Sequence, residues 1–154
     1  MAGTCAVDPA GMTTCVLRRG RVLGEDGFRD DLTVVIEDGR IAALERDPDP
    51  EAPVRAGQVD LDGGWLLPGF IDAQVNGGGG VLFNNVPTLE GIAAIATAHR
   101  RFGTTGLLPT LISDRPEVMA GAIDAVRQAI AAGVPGVLGI HLEGPYIAPA
   151  RRGT

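Results

Sequence analysis

Gly139-Ile140-His141-Leu142-Glu143-Gly144-Pro145-Tyr146 ends an apolar run with an imidazole and a carboxylate two residues apart. In a strand, side chains i and i+2 share a face, so His141 and Glu143 project together where Gly144-Pro145 turns the backbone. A metal ligand is presented in this way. Upstream, Leu66-Leu67-Pro68-Gly69-Phe70-Ile71-Asp72-Ala73-Gln74-Val75-Asn76 has the same form. Gln74 and Asn76 share a face at its end, and four glycines, Gly77 to Gly80, let the backbone bend sharply or approach a ligand.

Two helical patterns separate these strands. Thr88 is placed to N-cap a helix running to Phe102, with Glu90 in its first turn and Gly103 past its end. Leu89, Ile92, Ala93, Ala96 and His99 or Phe102 recur at helical spacing, so one face is expected to be buried, while His99, beside Arg100 and Arg101, also reads as a surface or interface residue. Gly106 to Leu111 is a short apolar strand. Asp114-Arg115-Pro116-Glu117 resembles a capping box opening a second helix. Val118, Met119, Ala122, Val126, Ala129 and Ile130 form its apolar stripe, Gly133 ends it, and Gly136 to Glu143 is the next strand. Strand, helix, strand, helix, strand is the βαβ order of a parallel sheet, whose crossovers are right-handed.

Ahead of this part the pattern changes. Met1 to Thr14 lack periodicity and are expected to fray. Residues 15–64 read as a small antiparallel β portion, with strands at Cys15 to Leu23, Leu32 to Glu37, Arg40 to Leu44 and Val59 to Leu61. Asp38-Gly39 is a two-residue hairpin signal, because a type I′ turn needs positive φ at both positions. The proline-rich, acidic stretch from Arg46 to Gly57 is expected to be an exposed linker or loop, and residues 65–154 to begin a barrel.

Pro68 to Gly80 (PGFIDAQVNGGGG), Gly103 to Ser113 (GTTGLLPTLIS) and Gly139 to Ile147 (GIHLEGPYI) together resemble the N-terminal portion of the N-acetylglucosamine-6-phosphate deacetylase family of the amidohydrolase superfamily. The resemblance runs from about Val16 onward. It implies an α/β fold: the first βα units of a metal-dependent-hydrolase (β/α)8 TIM barrel, preceded by part of a β-sandwich. A complete barrel takes about 250 residues, so the 154 here are expected to be part of a longer enzyme.

Many amidohydrolases carry a His-x-His metal pair where this chain has Gln74-Val75-Asn76. Neutral amides are poor zinc ligands, so a single divalent metal, zinc, is implied. By the same resemblance Glu143 is the metal ligand and Thr154 contacts substrate, while Gln74, Asn76 and His141 line the pocket. Gly77 to Gly80 could cradle phosphate or form a tight turn. The implied reaction removes acetate from N-acetylglucosamine 6-phosphate, with a general-base aspartate and two histidine ligands from later strands. Members are commonly homodimers. Another amidohydrolase activity, or a truncated non-catalytic α/β binding module, stands as the alternative.

Composition narrows the classes further. Net charge is −6 and the 13 basic residues, all arginine, form no basic face, which argues against nucleic acid. No long apolar run suggests a membrane span and no basic, apolar leader opens the chain, so a cytoplasmic protein is expected. Cys5 and Cys15 lie outside metal-ligand spacing and are expected to be reduced and idle.

Overall fold

The computed structural model describes residues 5–7, 11–49, 51–55, 57–144 and 150. It divides into two compact units, one running to Pro68 and the other starting at Gly69. In the first, β1 (Ala6–Val7) and β2 (Thr13–Arg18) pair antiparallel, followed by β3 (Arg21–Gly24), β4 (Gly27–Arg29), β5 (Leu32–Glu37), β6 (Arg40–Arg46), β7 (Gln58–Asp60) and β8 (Trp65–Leu66). One sheet has the order β1-β2-β5-β6, with β7 parallel to β2, and a second has the order β4-β3-β8. The β5–β6 hairpin turns at Asp38 and Gly39, with φ of +47° and +75°, as the Asp-Gly pair demands.

Four expectations for this unit change. The strand foreseen from Cys15 to Leu23 breaks at Arg19-Gly20 and divides between the two sheets; a Cβ on Gly20 would lie 2.7 Å from Leu61 Cβ, so the chains can approach only at glycine. Ala6–Val7 is not frayed, because ladder bonding to Thr13 and Thr14 holds it. Trp65–Leu66 pairs in parallel with Arg21–Val22 instead of opening the barrel part. Asp47, foreseen in an exposed linker, is buried, and its carboxylate accepts from Arg18 Nε and Nη2 at 2.8 Å each and from the Thr33 hydroxyl at 3.1 Å. Local composition could not show these, since each depends on which segments pair, in three cases with a partner distant in sequence.

The cysteines also differ from expectation. Continuing the Ala6–Thr14 register by one residue sets Cys5 opposite Cys15, with Cα atoms 4.5 Å apart, and the two form a disulfide. That separation is the close, non-hydrogen-bonded kind of antiparallel pair. A spacing of ten residues says nothing of it until the strands are paired.

The second unit contains β9 (Phe70–Val75), β10 (Gly77–Gly78), β11 (Val81–Leu82), α1 (Leu89–Arg100), β12 (Thr104–Ile112), α2 (Pro116–Ala131) and β13 (His141–Glu143). β9, β12 and β13 make a parallel sheet with β12 central, the expected α/β arrangement. Thr88 caps α1 by accepting from Gly91 N, and Gly103 leaves the helix at φ +89°. Ile92, Ile95 and Ala96 of α1 and Ala122, Val126 and Ala129 of α2 join Val75, Leu107 and Leu111 in one core, with Phe83 fully buried beside them. Burial of this apolar surface, about 1.5–3 kcal/mol for each large side chain, holds the helices on the sheet.

Three details depart from the sequence reading. The Asp114 carboxylate does not cap α2; it accepts from Arg115 N and Asn84 Nδ2, and Pro116 at the first helical position has no N–H to satisfy. Ile130 is exposed, its place in the stripe being taken by Ala125. The last strand shrinks to His141–Glu143, although Val137 makes an isolated bridge to Leu107.

Candidate active site

The carboxyl ends of the three parallel strands are tied to one another by side chains. β9 and β12 shift register between Leu107 and Pro109, where Pro109 cannot donate to a ladder. The fully buried Thr110 makes good the break: its Oγ1 accepts from Val75 N at 2.9 Å and donates to Leu108 O at 3.1 Å. With Val75 fixed on the core side, Gln74 and Asn76 lie on the opposite face, Gln74 exposed and Asn76 half-buried.

Asn76 reaches the far strand. Its Nδ2 donates to Glu143 Oε2 at 3.2 Å, joining residues 67 apart in sequence. Glu143 is half-buried and sits in register with Ile112, as His141 does with Thr110. A carbonyl only accepts, so the His141 Nδ1 bonded to Ala73 O at 3.0 Å carries its proton. Beside them Ser113 donates through N and Oγ to Glu143 O, at 3.1 and 2.9 Å, and its hydroxyl also contacts Gly144 O.

The loop after β9 closes the same end. Asn84 matches a strand partner, accepting from Ile112 N and donating to Ile112 O, both at 2.9 Å, and its Nδ2 also reaches Asp114 Oδ2 at 3.2 Å. The Arg115 N–H, with Asn84 assisting, holds the Asp114 carboxyl below the ordinary carboxylate range. Glycines 79 and 80, at φ +60° and +81°, turn the β10–β11 hairpin, and on α1 His99, not the exposed Phe102, continues the inward stripe, half-buried with Nε2 2.9 Å from Gly77 O.

The structure thus brings Asn76, Glu143 and His141 to one end of the sheet and leaves Gln74 more exposed. Thr154 lies outside the described residues. Sequence reasoning did not single out Thr110, Asn84 or Ser113; their one local sign is a polar residue within or just past an apolar strand. Among the described residues no three His, Cys, Asp or Glu groups cluster to hold a metal. Glu143 nevertheless fits one position of such a site: a half-buried carboxylate, oriented through one oxygen by an amide donor, is a suitable oxygen ligand. Among the described residues no helix is long and apolar enough to cross a membrane.

No protein-family profile matches the chain. It is 46% identical over 133 residues to an N-acetylgalactosamine-6-phosphate deacetylase of Shewanella sp. (strain ANA-3), covering 86% of this chain and 34% of that protein. It is 37% identical over 160 residues to the N-acetylglucosamine-6-phosphate deacetylase of Mus musculus, covering 99% of this chain and 37% of the relative. Among solved structures, N-acetylglucosamine-6-phosphate deacetylase from Pasteurella multocida superposes with a TM-score of 0.80 at 28% identity, over 89% of this chain and 36% of that one. A mutant of the Mycobacterium smegmatis enzyme, solved with N-acetyl-D-glucosamine-6-phosphate, gives 0.71 at 27% identity, over 88% and 33%. The chain spans about a third of the length of these relatives. Over that third, the chain is similar in sequence and fold to deacetylases of N-acetylated amino-sugar 6-phosphates.

Proposed function

We propose that the protein of which these residues form part hydrolyses the acetamide of N-acetylglucosamine 6-phosphate to acetate and glucosamine 6-phosphate. The observation that carries this reading is the Asn76–Glu143 hydrogen bond, which joins the ends of the two strands bearing the family-like motifs. Phe70 and Ile71, 61% and 71% exposed on the outer strand β9, support reading this sheet as the first βα units of a larger (β/α)8 barrel. The preceding unit would be the β-sandwich portion.

In this reading Glu143 supplies one ligand to a single divalent cation, zinc by family resemblance. When bound, that cation polarises an amide carbonyl and acidifies water. Asn76 keeps the Glu143 carboxylate turned to the pocket. The Ala73 carbonyl fixes the ring of His141, Gln74 lines the pocket, and Thr154 would contact substrate. A catalytic zinc usually takes three protein ligands, so the other ligands and the general base would come from the rest of the enzyme, working as a cytoplasmic homodimer. The decisive experiment measures acetate release by the full-length enzyme: Glu143→Gln should abolish it and lose zinc, and wild-type turnover in that variant would refute the assignment. The 154-residue chain alone should show no turnover.

A second substrate reading has its own support, because the Shewanella relative at 46% identity is named for N-acetylgalactosamine 6-phosphate. Comparing kcat/KM for the two epimers decides between them.

A further inference from the structure

We infer that His99 is a positioning residue for the Asn76–Glu143 pair, acting through the glycine hairpin; this rests on the metal-site reading above. The Gly77 carbonyl follows Asn76 directly, and its partner is His99 Nε2 at 2.9 Å, so the imidazole on α1 donates to the backbone next to the carboxamide that orients Glu143. A second bond holds Asn76 from the other side: Phe83 N donates to Asn76 O at 2.8 Å, and Phe83 is fully buried in the core. Asn76 is therefore gripped between a helix and a core residue. The fit is close, since a Cβ on Gly78 would lie 2.9 Å from His99 Nε2 and one on Gly79 would lie 3.2 Å from Ala94 O. Gly78 and Gly79 are the positions where the hairpin is pressed against α1. If the ring were withdrawn, the Gly77 peptide could rotate, and Asn76 would lose the backbone direction that carries its amide to Glu143.

The test uses the full-length enzyme and zinc alone as probe. His99→Gln keeps a side-chain N–H donor, whereas His99→Met has a similar reach and none. The Met variant should bind zinc about 10–100-fold more weakly, the usual cost of losing a group that orients a ligand, while the Gln variant stays near wild type. Thermal unfolding of the metal-free proteins should be alike for both. Equal zinc affinity in the two variants overturns the proposal. Glu143→Gln, measured alongside, separates the readings: if it loses zinc while His99→Met keeps it, only the role of His99 fails, and if it keeps zinc, the metal site fails and the role of His99 with it. In the wild-type protein, 15N NMR should show the proton on Nε2 of His99, protected from exchange. A proton on Nδ1 alone would overturn the proposal without any variant.

Discussion

Asn76 Nδ2 lies 3.2 Å from Glu143 Oε2, so an amide at the end of β9 sets the direction of a carboxylate at the end of β13. Removing the donor leaves the carboxylate free to rotate. Asn76→Ala in the full-length enzyme should lower kcat/KM and zinc affinity by about 10–100-fold. Asn76→Asp should do worse, because it sets a second negative charge against Glu143. Zinc titration with deacetylation kinetics checks both, and wild-type values for Asn76→Asp would exclude a role for the contact.

Thr110 gives the sheet a bond that the irregular ladder beside Pro109 lacks. Thr110→Val keeps the shape but strands the buried Val75 N–H, at a cost of about 1–3 kcal/mol. Hydrogen exchange should find the Val75 amide less protected than its neighbours in the variant. Unchanged exchange would mean that another acceptor replaces the hydroxyl.

The Arg18–Asp47 pair makes acid a probe of the first unit. The hydrogen bond from Arg18, chiefly, holds the Asp47 carboxyl below its ordinary 3.8, against the opposing effect of burial. Its folded pKa being below the unfolded one, its contribution is present above that value and is lost as pH falls through the folded pKa. Asp47→Asn should cost about 3 kcal/mol at neutral pH, the lower end for breaking a buried pair. The gap should narrow below pH 3.8. Urea unfolding of the 154-residue chain, followed by its single tryptophan, Trp65, measures this; a gap independent of pH would contradict it.

Cys5 and Cys15 close a loop across a sequence separation of 10. Loop-closure entropy gives such a crosslink about 2–3 kcal/mol. The chain purified in air and denatured without reductant should take up no iodoacetamide, and should accept two labels after reduction, with a lower unfolding midpoint. Labelling before reduction would show that the two thiols are free and would overturn the crosslink.

The second unit was legible in its elements because each signal is local. The Thr88 cap, the apolar stripe of α1 and the glycine exit at Gly103 all act within a few residues. The same holds for Asp38-Gly39, whose positive φ angles are properties of two adjacent residues. The α2 start misled for a related reason: Asp114 has the right spacing for a cap, but Asn84 and the Arg115 amide engage its carboxylate first.

By itself, the sequence determined the alternation of strands and helices, the main hairpin and the strand ends that carry Asn76, His141 and Glu143. Only the tertiary structure decided which of these side chains meet, that Thr110 mends the ladder, that His99 bonds the Gly77 carbonyl and that Cys5 faces Cys15. Propensity and periodicity act over one or two turns of chain. Hydrogen bonds and crosslinks between distant residues exist only once packing of the apolar faces has set the register of the strands.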